Sequence, residues 1–488
     1  MVQAKTLTQN TTYYTLALVF QKVLAFVYFT FLARGLGVED LGRYTFAFSF
    51  TTIFSVFVDV GLNSVLTREI AKDRSRTKEI LANVLGIKLF LSLFVYLFVV
   101  ILINLMDYPE ITKNLVYLTG VIMLLDTFSN TFWGVLRGHQ NLKYESAGIV
   151  FFESLVIIVG AILLILDLGV VVQVLAVLMG SSFLCFFSYW EMRRRTHLIP
   201  TIQIDRSLAK KLLIIAWPFA LTGILARLNT QIDTIFLSKI GCATQAICDA
   251  NVGIYSVATK IILAIHFLPL AFVAALFPAL SEFFATDQEK LARTFEKAMR
   301  YLMFISAPIA GGLLILAPDF VPQIFGREYY GAILPLQILA GSLIFLFLTF
   351  PIGSLLNACS KQLQNTKQIG VAVAVNTLLN IFLIPRLTYV GGAISSLVST
   401  VVLFVLGIYA TNKILKYNKK YLLTSFLQSL LAGIIMVFVL WLLLFKIHFI
   451  YLIILGALVY FLALFLFGFF TRQELNDILL SLRIKKSL

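Results

Sequence analysis

Long apolar runs separated by short polar breaks fill this chain almost from end to end. Crossing a hydrocarbon core of about 30 Å takes roughly 20 helical residues. Fourteen spans of that kind are predicted: 11–33, 44–66, 80–105, 114–136, 146–166, 169–190, 212–238, 252–281, 298–317, 331–356, 364–384, 389–412, 421–445 and 447–470. The breaks between them are too short to hold a folded domain, so any activity is expected to reside in the helices. The first span follows a polar tail, 1–10, and lacks an A-x-A-like cleavage site, so it is expected to be a retained helix.

A short echo divides the spans. Phe31-Leu32-Ala33-Arg34-Gly35-Leu36-Gly37, then Leu41-Gly42-Arg43-Tyr44, joins spans 1 and 2; Phe236-Leu237-Ser238-Lys239-Ile240-Gly241, then Val252-Gly253-Ile254-Tyr255, joins spans 7 and 8. The two places are equivalent in two blocks of six helices. The expected architecture is therefore an all-α polytopic membrane protein with an N-lobe, 1–204, a C-lobe, 205–417, and a segment 418–488 carrying the last two spans and a tail. Repeated bundles of this sort typically hold substrate between their halves and rock one against the other. Pro218, Pro269, Pro278, Pro308, Pro335 and Pro351 fall within spans of the second block, where a missing backbone donor bends a helix.

Composition agrees with the pattern. The 488 residues are 60% hydrophobic and only 13% charged, against about 25% charged in soluble domains, which excludes a water-soluble enzyme. A formal charge of +15 first suggests nucleic acid, but its distribution gives another meaning. With the loops assigned alternately to two faces, 28 of the 39 Lys and Arg fall on the face that holds both termini. Only Arg34, Arg43, Lys113, Lys239, Arg327, Arg386 and Lys446 fall on the other. Such a bias over short loops places both termini in the cytoplasm and leaves no case for nucleic acid as a partner. Of the four cysteines, Cys185 and Cys359 fall in or beside helices as small apolar side chains. Cys242 and Cys248 share one outer loop, where they are either a disulfide or two free thiols.

Ionisable groups at membrane depth are costly and mark a site or a partner. The cations are Lys22, Lys88, Arg227 and Lys260; the anions are Asp59, Asp126, Glu153 and Asp233. Either they neutralise one another as internal ion pairs, or the cations, two from each lobe, line a cavity for phosphate. Span 7 is the most polar: Arg227 and Gln231, and Asn229 and Asp233, are i, i+4 pairs on different faces, so no side of it suits lipid. On span 4, Asp126, Asn130, Trp133 and Arg137 make one polar stripe. Asp126, Glu153 and Asp233 are candidates for coupling to an ion, H+ or Na+, with interhelical hydrogen bonding as the plainer role. Asn130, Asn229 and Gln231 are candidate polar cavity lining, and Asn376 and Asn380 candidate helix–helix contacts. His139, His197, His266 and His448 are scattered, so neither a metal site nor any other cofactor is expected.

Several of these stretches resemble a known family. Ala33-Arg34-Gly35-Leu36-Gly37, Leu41-Gly42-Arg43-Tyr44, Asp59-Val60-Gly61-Leu62 and Arg68-Glu69-Ile70-Ala71 are similar to the opening of the O-antigen type polysaccharide flippases of the multidrug/oligosaccharidyl-lipid/polysaccharide exporter superfamily. Gln231-Ile232-Asp233-Thr234-Ile235-Phe236-Leu237 with Gly253-Ile254-Tyr255-Ser256-Val257-Ala258, and Asn376 with Asn380-Ile381-Phe382-Leu383-Ile384-Pro385 before Gly391-Gly392-Ala393, continue the likeness to about residue 415. The resemblance implies a MATE-like fold, two six-helix lobes around a cationic cavity, and transfer of lipid-linked oligosaccharide, carried on polyprenyl phosphate or pyrophosphate, by a protein acting as a monomer among membrane lipids. Lys22 and Lys260 align with cavity arginines of the more distant lipid II flippases. Tyr28 stands where those relatives have another arginine, which disfavours lipid II itself as the substrate. A lysine also loses the two-pronged grip of arginine and acts as a point charge.

Two other functions compete with flipping. An ion-coupled multidrug exporter of the same fold would present carboxylates to cationic drugs, which Lys22 and Lys260 oppose. A membrane glycosyltransferase or polymerase would need a sizeable hydrophilic loop or a D-x-D motif, and the sequence has neither.

Overall fold

A computed structural model describes residues 2–444 and 448–469, with side chains from residue 17 onward. Lys446, the side chains of the tail 1–10 and the tail 472–488 lie outside the described residues. Helices follow one another as α1 (Val2–Asp59), α2 (Leu62–Lys72), α3 (Thr77–Leu105), α4 (Glu110–Gly138), α5 (Lys143–Ile165), α6 (Gly169–Thr196), α7 (Arg206–Leu237), α8 (Gln245–Ile265), α9 (Phe267–Thr286), α10 (Gln288–Ile324), α11 (Ile333–Ala358), α12 (Gln362–Ile414), α13 (Lys419–Leu443) and α14 (Phe449–Leu466). Short polar side chains start several of them. Asp205 accepts from the backbone N–H groups of Ser207 and Leu208 at the start of α7, and Thr244 accepts from Ile247 N–H at the start of α8. Asp287 caps α10, where the N–H groups of Lys290 and Glu289 favour its ionised form and hold its carboxyl below the ordinary range.

Among the described residues, twelve helical stretches are long and apolar enough to cross a membrane. Two of them are double. The described part of α1 has 43 residues and α12 has 53, about 65 and 80 Å at 1.5 Å per residue, each more than twice a hydrocarbon core. Each is interrupted once, at Gly37 (φ 75°, ψ 176°) and at Thr388 (φ 50°, ψ −129°). Those interruptions lie between predicted spans 1 and 2 and between spans 11 and 12, so the fourteen spans are accounted for. Predicted span 8 is bent, with α8 and α9 meeting at His266.

Several boundaries differ from expectation, with α7, α8 and α10 starting before the predicted spans. Span 2 stops at Asp59 rather than at 66, because Val60 and Gly61 both take positive φ (44° and 76°). The chain then turns into α2, a short amphipathic helix that buries Leu62, Val65, Leu66 and Ile70. Gly61 is fixed by space as well as by φ, since a Cβ there would lie 2.7 Å from the Ala216 carbonyl oxygen of α7. Pro269 and Pro335 fall in the first turns of α9 and α11, where the absent N–H costs nothing, and are not mid-helix bends.

The helices pack as two compact units, residues 1–267 with 369–395, and residues 268–368 with 396–488. These limits cut across the 1–204, 205–417 and 418–488 division, placing α7, α8 and the first stretch of α12 beside the N-terminal helices. The core of the first unit joins α2, α3, α4, α6 and α7 through Leu66, Val84, Trp133, Met192 and Leu212. In the second unit Ala432, Met436, Leu452 and Tyr460 of α13 and α14 pack against Ala307 and Leu316 of α10.

Within the first unit, α1 crosses α8 at the two glycines of the sequence echo. A Cβ on Gly42 would overlap the carbonyl oxygen of Asp249, and one on Gly253 would overlap that of Val38. Arg43 secures the crossing, with Nε 3.0 Å from Asp249 Oδ2, Nη1 2.7 Å from Asp40 Oδ1, and Nη2 paired with Glu39. Beside it, the Tyr108 and Ser238 hydroxyls are 2.8 Å apart.

Gly253→Ala should cost about 1–3 kcal/mol by forcing two backbones apart, read as a lower thermal midpoint of the detergent-solubilised protein. Gly312→Ala in α10, where nothing lies within 4 Å of an added Cβ, should leave that midpoint unchanged.

Candidate functional site

Of the four intramembrane cations, two come together. Lys22 on α1 and Lys260 on α8 are both exposed although they lie inside spanning helices, and their charges act on each other. The Lys260 ammonium stands 5.2 Å from the centroid of the Phe29 ring, two turns along α1 from Lys22, which gives it a cation–π contact. Glu153 of α5 belongs to the same group: its carboxyl lies near the Gln21 side chain and in the field of both lysines. It is buried, at 7% exposure. His266, at the α8–α9 bend, is in the field of Lys22. The arrangement is two exposed lysines, on α1 and α8, with one buried carboxylate from α5 beside them, about 22 Å along α1 from the break at Gly37 by helix rise.

Lys88 is elsewhere, and the expectation that it lines a cavity is corrected. It is 0% exposed. Its ammonium is 2.6 Å from Asp59 Oδ1, 2.8 Å from Asn63 Oδ1 and 2.7 Å from Thr131 Oγ1. Two of its donors are hydrogen-bonded to Asn63 and Thr131, and the Asp59 carboxylate pairs with its charge. Lys88 therefore ties α3 to the end of α1 and to α4. Arg227 on α7 is exposed, and among the described residues no contact joins it to the Lys22–Lys260 group.

The other acidic candidates also separate. Asp233 is buried between helices, accepting from the Tyr255 hydroxyl at 2.7 Å and from Asn380 Nδ2 at 2.6 Å. Asn380 Nδ2 also reaches Asn376 Oδ1 at 2.7 Å, so both asparagines fasten the first stretch of α12, as expected, and do so around Asp233. Asp126 lies beside Ser181 of α6. Its predicted stripe breaks up: Asn130 Nδ2 donates back to the Asp126 carbonyl, Trp133 is buried, and Arg137 Nε binds Glu145 Oε2 of α5 at 2.8 Å. Asn229 and Gln231 are half-buried on α7. Cys242 and Cys248 are joined as a disulfide with Cα atoms 5.4 Å apart, within the usual range; Cys185 and Cys359 are free. Among the described residues no group of three His, Cys, Asp or Glu is placed to hold a metal ion.

Gln21 and Phe29 were not singled out from the sequence. Position carries their signal: Gln21 precedes Lys22, and Phe29 is seven residues beyond it, on the same helix face.

Comparison with known proteins fits this geometry. The polysaccharide biosynthesis protein family matches residues 7–284, more than half of the chain, and the chain belongs to that family. It is 21% identical to the capsular polysaccharide biosynthesis protein CapF of Staphylococcus aureus over 370 residues, 74% of this chain and 88% of that protein. It is 28% identical to the lipopolysaccharide biosynthesis protein WzxC of Escherichia coli K12 over 213 residues, 43% of this chain but only 40% of that protein. Among solved structures, the lipid II flippase MurJ in an inward closed conformation superposes with a TM-score of 0.76 at 15% identity, covering 93% of this chain and 97% of its own. An inward-facing multidrug resistance MATE family transporter follows with 0.62 at 19%, covering 81% and 95%. The fold is MATE-like, as the sequence resemblance implied, and the protein is a multi-pass membrane protein.

Removing one partner of a buried ion pair costs about 3–5 kcal/mol. Lys88→Ala should accordingly lower the thermal midpoint and the yield of folded protein. Lys22→Ala, which removes an exposed charge, should alter neither.

Proposed function

We propose that this protein is a flippase that moves polyprenyl-linked oligosaccharide across the cytoplasmic membrane for polysaccharide or glycan biosynthesis, by alternating access of its two six-helix lobes, 1–204 and 205–417. The observation that carries the proposal is the Lys22–Lys260 pair, one cation from each lobe, exposed at membrane depth where an uncompensated charge is costly unless a counter-charge arrives. A phosphate linking lipid to glycan supplies that counter-charge, and lysines bind phosphate as point charges. Family membership and the likeness to MurJ support the same reading. It is a carrier's site rather than an enzyme's, since the group offers charge and no activated nucleophile.

A single copy supplies both lysines, which supports a monomer. The excess of Lys and Arg on the face of the termini supports a cytoplasmic location for both ends, and the disulfide of the 239–250 loop supports an outer location for that loop. The multidrug exporter reading loses ground for a specific reason: Glu153 is turned to the lysines and Asp233 is bound by Tyr255 and Asn380, so neither is offered to a cationic drug. Asp233, hydrogen-bonded by Tyr255 and Asn380, is the residue we assign to the coupling ion, H+ or Na+.

Lys22→Ala and Lys260→Ala should each abolish glycan export while the protein stays folded in the membrane, with lipid-linked oligosaccharide accumulating on the cytoplasmic leaflet. Full export by both variants would refute the site. Asp233→Asn should remove the dependence of export on the ion gradient, measured in vesicles with imposed Na+ or pH gradients.

A further inference from the structure

The first turns of α7 carry a graded stripe. Arg206, Lys210, Leu213, Ile214 and Trp217 stand at i, i+4, i+7, i+8 and i+11, on one helix face, and all five are exposed. The opposite face, with Ala209, Leu212, Ala216 and Ala220, is buried. Polarity along the stripe runs one way: two cations come first, then three large apolar side chains, ending at Trp217, which is 55% exposed. From Arg206 to Trp217 is about 16 Å by helix rise, close to half of a hydrocarbon core of about 30 Å. The stripe therefore has the depth of one leaflet.

The chain before α7 gives the stripe a wall. Residues 203–205 lie along α3: Gln203 N–H donates to the Ala82 carbonyl at 3.3 Å and Asp205 N–H to Asn83 Oδ1 at 2.7 Å. Gly86 of α3 leaves room for the strap, since a Cβ there would lie 2.6 Å from the Ile204 side chain. Ile204 is thereby fixed beside the stripe, and a groove of about 510 Å³ runs along Ile204, Arg206, Lys210, Leu213, Ile214 and Trp217. The cations at its polar end are available. Among the described residues neither Arg206 nor Lys210 forms an ion pair or a side-chain hydrogen bond. Asp205, the one carboxylate in 205–217, has its Oδ1 bound by the N–H groups of Ser207 and Leu208, and Glu79 of α3 is paired with Arg76 at 2.9 Å. Lys211 adds a third exposed cation.

A ligand that fits this groove is anionic at one end and apolar over the depth of a leaflet at the other. A phospholipid with a charged headgroup has that form. Its phosphate meets a guanidinium and an ammonium, and an acyl chain lies against Leu213, Ile214 and Trp217. Basic residues at the membrane surface favour an anionic headgroup over a zwitterionic one. We propose that the groove between the 203–205 strap and α7 is a binding site for an anionic phospholipid of the surrounding leaflet, built from none of the residues of the Lys22–Lys260 group. It stands on the geometry of α7 and does not depend on what the protein transports.

The test places the full-length chain in phosphatidylcholine nanodiscs and titrates in phosphatidylglycerol brominated on its acyl chains, which quenches a tryptophan that it touches. Brominated phosphatidylcholine is the reference, and subtracting the signal of a Trp217→Phe variant isolates Trp217. In wild type, Trp217 should be quenched at about a tenth of the mole fraction that the phosphatidylcholine probe requires. Arg206→Gln combined with Lys210→Gln should bring the two lipids to parity. Equal quenching by both lipids in wild type overturns the proposal, as does an unchanged preference in the double variant. Should that variant fail to fold, the wild-type comparison alone decides. Polyprenyl phosphate at equal mole fraction should not displace phosphatidylglycerol from Trp217; displacement would give the groove to the lipid carrier and overturn the assignment. Inorganic phosphate should leave the quenching unchanged, and relief by it would mean that a free anion is the ligand.

Discussion

The approach of α1 to α8 at Gly42 and Gly253 is the contact on which the site depends. Each glycine accepts the other helix's backbone where a methyl group would not fit, so α8 starts at close range to α1 just beyond the break at Gly37, and the stretch of α1 that leads into that break, which carries Lys22, is brought alongside α8. Lys22 and Lys260 are on those two helices, and Glu153 on α5 packs against α1. Arg43, bound to Asp249 across the crossing, adds a charged fastening where side chains alone would leave a gap. The cation pair thus follows from a backbone contact made elsewhere on the same helices.

Lys88 and Lys22 show how one residue type does two jobs in a membrane. Both sit in apolar helices, yet burial separates them: Lys88 is buried with its ammonium against Asp59, Asn63 and Thr131, while Lys22 is exposed and, among the described residues, forms no ion pair. A fully satisfied ammonium stabilises helix packing and has little left for a ligand. An incompletely satisfied one is a standing cost that a phosphate can relieve on arrival. The difference lies in what surrounds the nitrogen, which is why hydropathy alone ranked the two alike.

Much of the architecture was legible in the chain. Apolar run length set the number of crossings because hydrocarbon thickness sets it; the echo read as a repeat, and only the fold places its two glycines at the α1–α8 crossing. The ends of elements were harder: apolarity continues from span 2 through Leu62 and Val65, but the positive φ of Val60 and Gly61 ends the helix earlier. Within the site, Lys22, Glu153 and Lys260 were named from depth and charge. Their grouping, and the exclusion of Lys88, required knowing which helices touch. Contacts such as Asp233 with Tyr255 and Asn380 join residues up to 147 positions apart, beyond the range of any local periodicity.

The disulfide between Cys242 and Cys248 has a consequence for biogenesis. It closes a short loop immediately before Asp249, the residue that Arg43 holds. In a reducing cytosol two such thiols stay apart, and they join on exposure to an oxidising compartment. Under the proposed topology, oxidation of the pair would follow translocation of this loop. A chain threaded in the opposite orientation would keep two thiols open to alkylation, so the sulfur oxidation state reports insertion topology molecule by molecule.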